Sequence, residues 1–311
     1  MFRTFKKTAV TAVAVALLGM AAAGCNPDEL DKLDELDKLD KLDSLVTTSP
    51  KPEEQLITGT QKIDVAGVKV NVSCSGEAGK DQPVIMLMAG AGDGLDKLAS
   101  LQKTLSAEYR VCSYDRPGEG ASDKPKGPQT FDSAGEVLTA VLDKAAGDHP
   151  VVLAGHSLGG LLAARYAPEH TDRVKGVVLM DATPSTMLSD MEKSIPANAK
   201  GPAGELRAQN LAIFKGQNPE LLSMPDGPVG SAGDIPVEVL KHGKEYLAAI
   251  PTYGQKLEQA WTAGQRKWLG LSSNSKLIVA DKSEHYIYVD QPELAVESIK
   301  RVAGQAAGGQ S

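Results

Sequence analysis

Residues 151–160 read VVLAGHSLGG, and GLLAARYA continues from Gly160. Four apolar residues run into Gly155-His156-Ser157-Leu158-Gly159, and a small-residue, helix-compatible run follows. A Gly-x-Ser-x-Gly between a buried strand and a helix forces a sharp turn that lifts the Ser hydroxyl out of the sheet. Gly is required at 155 and 159, because a Cβ at either place collides with neighbouring backbone in so tight a turn. A glycine-rich loop is the plainer alternative, but the order strand, turn, helix favours the nucleophile-bearing turn. The spacing predicts an α/β protein organised around Ser157.

GHSLGG resembles the nucleophile elbow of the α/β-hydrolase superfamily, and the resemblance extends over residues 65–302. It implies a mostly parallel eight-stranded sheet flanked by helices, with a Ser–acid–His triad in that chain order. The other segments can be read against it. Residues 83–90, PVIMLMAG, form a continuous apolar run suited to a strand buried on both faces. The GAGDG that follows lacks dinucleotide-binding spacing. The resemblance makes it the oxyanion loop, with Ala89 where the family has His and the Ala91 N–H as donor beside that of Leu158. YDRPGEGASD, at 114–123, resembles the family's segment after the fourth strand and implies a scaffold role for Asp115 and Arg116.

Residues 174–184 read as the sixth strand, ending near Asp181. The Pro-, Gly- and Met-rich stretch 184–235 is too long for a plain loop and reads as a small helical cap. Met187, Met191, Leu211, Phe214 and Met224 are candidates for an acyl pocket or for the cap's own core. Residues 235–240 and 276–280 supply the last two strands. DKSEHYIYVDQPE, at 281–293, resembles the segment carrying the family's catalytic His, with Glu284 where Gly is usual.

A Ser hydroxyl needs a base to take its proton as it attacks a carbonyl carbon. Of the five histidines, His285 has the matching position and flanks, and His242 reads as a loop histidine near the pocket. For the acid, the stretch after Leu240 offers no Asp. Asp181 is favoured, with Glu258 and Glu245 as alternatives. The expected chemistry is ester cleavage by Ser157, His285 and Asp181 through an acyl-enzyme, with a small-molecule ester-like substrate. Two other readings use the same scaffold: a surface-anchored ligand-binding or signalling protein with little turnover, and a small-amide or peptide hydrolase.

The remaining features concern location. Residues 1–25 have a basic start and an apolar run too short to span a membrane comfortably, as an export signal does. They end in AAAGC, which resembles a bacterial lipobox and makes Cys25 the expected lipidation site. Residues 26–56 are acidic and of low complexity, with Leu at every third position from 30 to 45. That period drifts around a helix without forming an apolar stripe, so the stretch reads as a solvated tether, with a coiled coil as the sharper alternative. The domain proper is 57–311. In the implied fold, Cys74 and Cys112 fall on neighbouring strands, and an exported protein keeps disulfides, so a bridge is expected, against two buried free thiols. The protein is expected outside the bacterial cytoplasmic membrane, held by lipid alone. The net charge of −7 with no basic patch argues against nucleic acid. No metal, no cofactor and a monomeric state are expected.

Overall fold

Eight strands run in the order β1-β2-β4-β3-β5-β6-β7-β8 across one sheet. They are β1 (Gly59–Val65), β2 (Val68–Ser75), β3 (Val84–Met88), β4 (Val111–Tyr114), β5 (Val151–His156), β6 (Val174–Met180), β7 (Val237–His242) and β8 (Ser275–Ala280). The computed structural model describes residues 56–308. The expected signal sequence, Cys25 and nearly all of the tether lie outside the described residues. None of the described helices is long and apolar enough to cross a membrane.

β1 and β2 form a hairpin closed at Ala66-Gly67, both at positive φ, and β2 also pairs antiparallel with β4. From β3 to β8 every pairing is parallel. The uninterrupted apolar sequence of β3 follows from burial on both faces. Met86 and Met88 point into the layer holding Leu138, Val141 and Leu142 of helix α2 (Phe131–Ala146). Ile85 and Leu87 point into the opposite layer, with Leu101 and Leu105 of α1 (Ala99–Leu105) and Ile299 and Val302 of the C-terminal helix (Pro292–Gly308). Alternate side chains on a strand must serve opposite faces, so a sheet covered on both sides tolerates no polar position there. Each such aliphatic side chain contributes about 1.5–3 kcal/mol on burial. Helix α2 starts at a reciprocal cap, in which Thr130 and Ser133 each accept the other's backbone N–H through their hydroxyl oxygens.

The expected strands and helices recur with small boundary shifts. The seventh strand starts two residues later than the apolar pattern suggests and runs on through Lys241 and His242, so His242 is a fully buried strand residue and not a loop histidine. The stretch 184–235 contains helices α4 (Met187–Ser194) and α5 (Gly201–Phe214), with an extended return to the sheet. A separate apolar cluster of Met191, Ile195, Ala203, Leu211 and Leu257 ties both to helix α6 (Gly254–Lys267). α3 (Leu158–Tyr166) and a short α7 (Ile287–Asp290) complete the helices numbered up to α8, the C-terminal one.

Cys74 and Cys112 face each other in the β2–β4 register and are joined by a disulfide, 38 residues apart in sequence. Closing a loop of that length restricts the unfolded chain by about 3–4 kcal/mol. Reduction, or the pair Cys74→Ala and Cys112→Ala, is therefore expected to lower the midpoint of thermal unfolding by several degrees. A melt unchanged by reductant would show that the bridge contributes nothing.

Candidate active site

Ala91, Ser157, Leu158, Asp181 and His285 sit at or just beyond the carboxyl ends of the parallel strands, where open α/β sheets place their sites. β5 ends at His156, and Ser157 takes φ 49° and ψ −117° before α3 begins at Leu158. This backbone region is costly for a residue with a Cβ, of order 1–3 kcal/mol. Close packing holds it there. A Cβ on Gly155 would lie 2.4 Å from Gly159 O, and one on Gly159 would lie 2.3 Å from Met88 O. Ser157 N–H donates to Met180 O and Ser157 O accepts from Thr183 N–H, at 3.2 and 3.0 Å, so β6 braces the turn from the side. Leu158 is the first residue of α3, and the first N–H groups of a helix have no intrahelical carbonyl. Ala91 lines the same cavity as Ser157.

The loop carrying Ala91 is clamped from below by the 114–123 segment. The Arg116 guanidinium donates to Ala89 O and Gly90 O at 2.6 and 2.8 Å. It also makes a two-pronged ion pair with Glu220 of the cap's return segment, at 2.7 and 2.8 Å. Glu119 accepts the Gly92 N–H at 3.0 Å. Burial and the nearby Glu220 carboxylate push the Glu119 carboxyl up to about 7. Asp115 does not pair with Arg116: it accepts from Asn71 Nδ2, Leu95 N–H and Ala121 N–H. Both are scaffold residues, each with its own partners.

His285 reaches the site from the loop after β8. Its Nδ1 lies 2.7 Å from Asp181 Oδ2, and its side chain is 21 % exposed while that of Asp181 is fully buried. Asp181 follows β6 at φ 46°, a left-handed conformation that turns its carboxylate across the sheet edge. It also accepts from Trp261 Nε1 at 3.0 Å, from the His242 backbone N–H at 3.2 Å and from His242 Nδ1 at 2.9 Å. Burial alone would raise the Asp181 carboxyl, but the hydrogen bonds and charges of His242 and His285 outweigh it and hold it well below the usual carboxylate range. His156 lies behind His285, its ring nitrogen Nε2 3.1 Å from His285 O. Burial, and then the neighbouring His285, lower its pKa to about 3. It is neutral, so Nε2 carries the proton that it donates to the carbonyl.

Of the two other expected acids, Glu245 precedes a short turn (Tyr246–Ala249) and contacts neither histidine. Glu258 is buried with Oε1 2.7 Å from His242 Nε2 and makes no contact with His285. Among the described residues Ser157 Oγ makes its hydrogen-bond contact with Thr183 Oγ1, at 3.4 Å. No hydrogen bond between Ser157 Oγ and His285 is formed among the described residues; such catalytic contacts are often long before substrate is bound.

A cavity of about 240 Å³ opens onto Ser157 and His285. Met187, Met191, Leu206, Ile213, Phe214 and Met224 form much of its cap-side wall. Leu211, expected as a possible lining residue, belongs instead to the cap's own core. The described residues contain no cluster of His, Cys, Asp or Glu that could hold a metal ion.

Residues 82–287 match the family described by the α/β-hydrolase fold. The chain belongs to the α/β-hydrolase family. The uncharacterized protein YqjL of Bacillus subtilis is 26% identical over 226 residues, covering 70% of this chain and 81% of that one. The mouse (lyso)-N-acylphosphatidylethanolamine lipase is 30% identical over 105 residues, 33% of this chain and 31% of the lipase. The chain spans only 16% and 36% of two other curated relatives, from Schizosaccharomyces pombe and B. subtilis. In structure it is similar to the enol-lactonase of Burkholderia xenovorans LB400, with a TM-score of 0.53, 18% identity, and coverage of 78% of this chain and 99% of the lactonase. As an α/β-hydrolase, the chain has the eight-stranded, mostly parallel sheet of the family.

Proposed function

We propose that this α/β-hydrolase is a serine hydrolase that cleaves ester-type carbonyl substrates through an acyl-enzyme. The observation that carries the reading is the 2.7 Å contact between His285 Nδ1 and the buried Asp181 carboxylate, on the wall of the cavity that Ser157 also lines. Asp181 accepts the Nδ1–H and thereby leaves the lone pair on His285 Nε2. That nitrogen takes the Ser157 hydroxyl proton as Oγ attacks the carbonyl carbon. The tetrahedral oxyanion is met by the N–H groups of Ala91 and Leu158, which are aimed before the reaction starts and so need no reorganisation. Collapse expels the alcohol, protonated by His285. A water, deprotonated at the same nitrogen, then releases the acid and restores Ser157.

The cavity limits the acyl group. At about 240 Å³ it is smaller than the roughly 300–1,000 Å³ of most ligand pockets, and its wall is chiefly apolar. A p-nitrophenyl ester series from acetate to palmitate, run on residues 50–311, should therefore give kcat/KM highest among short and medium chains. Palmitate should fall at least about tenfold below the optimum. Covalent labelling of Ser157 without turnover on any ester would instead favour an amidase, a lactonase or the ligand-binding reading.

A further inference from the structure

Behind the Asp181–His285 contact lies a second carboxylate–imidazole pair with no part in the steps above. His242 closes β7 and is fully buried. Its Nδ1 is 2.9 Å from both oxygens of Asp181, and its Nε2 is 2.7 Å from Glu258 Oε1. An ionised carboxylate can only accept a hydrogen bond, so each contact requires a proton between nitrogen and oxygen. Two arrangements satisfy both. Either an imidazolium donates to two carboxylates, or a neutral ring donates at one end and accepts from a protonated carboxyl at the other.

The surroundings favour the first. Burial opposes a charge on His242, but its hydrogen bonds to Asp181 and Glu258, and the charges of both, reverse this and raise its pKa. Among the other groups facing His242, Lys241 is a cation whose Nζ donates to the His242 backbone carbonyl at 2.7 Å. Tyr246 lies 4.8 Å away edge-on, kept as the neutral phenol by burial and by the Asp181 and Glu258 charges. Trp261 lies 6.3 Å away. Lys241 Nζ also lies 3.9 Å from Glu258 Oε1, and His285 Nδ1 shares Asp181 Oδ2 with His242 Nδ1. Helix α6 thus delivers Glu258 to one side of His242 and Trp261 Nε1 to the Asp181 carboxylate one turn later, as residues three apart on one helix face allow.

We propose that His242 and Glu258 are positioning residues: Glu258 keeps a proton on His242, and the His242 ring, in contact with both oxygens of Asp181, fixes the carboxylate that holds His285. Without that hold the Asp181 carboxylate can turn, and its 2.7 Å contact with His285 Nδ1 is no longer set before the reaction starts. The proposal rests on the reading of Ser157, His285 and Asp181 as the catalytic set.

The test is kcat and KM on p-nitrophenyl acetate for the wild type, Glu258→Gln and His242→Gln, with thermal melts confirming the fold. In Glu258→Gln the ring loses the carboxylate that retains its second proton, while the shape of the site is kept. kcat is expected to fall about tenfold with KM within about twofold. His242→Gln is expected to behave alike. If it does not fold, Glu258→Gln decides alone. Nitrogen-15 NMR of labelled histidine should show a His242 ring protonated on both nitrogens at about pH 6.5 in the wild type, and lost in Glu258→Gln. Wild-type kcat in Glu258→Gln, or a His242 ring neutral at that pH, overturns the proposal. If that happens while Ser157→Ala is inactive, the catalytic set stands and only this inference falls. Wild-type turnover in Ser157→Ala overturns the catalytic set and this inference with it.

Discussion

Ser157→Ala is expected to lower ester turnover by about 10⁶-fold and to abolish labelling by a fluorophosphonate. The size follows from what the hydroxyl does. Its oxygen forms the covalent bond to the acyl carbon, and no neighbouring group can replace it. Thr183 Oγ1 lies 3.4 Å from Ser157 Oγ, but it sits in the loop after β6 and lacks the strained turn. The substitution leaves the fold untouched, because the turn is held by backbone contacts at Gly155 and Gly159 and by Ser157 N–H and O, none of which involves the side chain. Activity and melting should be measured on the same preparation. Labelling or turnover that persists in a folded Ser157→Ala protein places the nucleophile elsewhere.

Asp181→Asn is expected to cost about 10⁴-fold in kcat, and the geometry says why. Oδ1 receives Trp261 Nε1–H and the His242 backbone N–H, while Oδ2 receives His285 Nδ1. An Asn can keep one oxygen. Placing its amide nitrogen at the Oδ1 position would set it against two fixed N–H donors, so the nitrogen must face His285. His285 then accepts at Nδ1 and carries its proton on Nε2, where Ser157 needs a lone pair. The measurement is kcat on p-nitrophenyl acetate with a melt alongside. Near-normal turnover would remove Asp181 from the chemistry. The same carboxylate also sets an acid limit on the fold. Its folded pKa lies below the unfolded value of about 3.9, so the stability it contributes is fully present above that value. It is lost as pH falls from roughly 4 toward the folded pKa. His242 has the opposite sign: its pKa is raised, so its contribution is complete below about 6.5 and declines as pH rises through the folded value.

Much of the architecture is legible in residue order because its causes are local. The apolar run of β3 answers to strand alternation, and the Gly155 requirement to steric contact with Gly159 O four residues on. The same holds for the placement of Ser157 between strand and helix. His285 is recognisable from its flanking segment alone. The lining of the cavity is less so. Met and Leu at helical spacing fit a pocket wall and a cap core equally well, and only packing assigns Leu211 to the core and Met224 to the wall.

Along the chain Asp181 is favoured by its place after the sixth strand, but Glu245 and Glu258 stay open, since all three stand near strand or helix ends. What separates them is which groups arrive from elsewhere. Asp181 gathers His242, Trp261 and His285 from 61, 80 and 104 residues away, Glu258 meets His242, and Glu245 meets neither histidine. Sequence alone determined the strand–turn–helix that carries Ser157 and the segment that carries His285, because short-range sterics and periodicity dictate them. Tertiary structure alone decided which carboxylate touches His285 and what stands behind it, because burial and hydrogen-bond donors are properties of residues that meet only when the sheet edge is assembled.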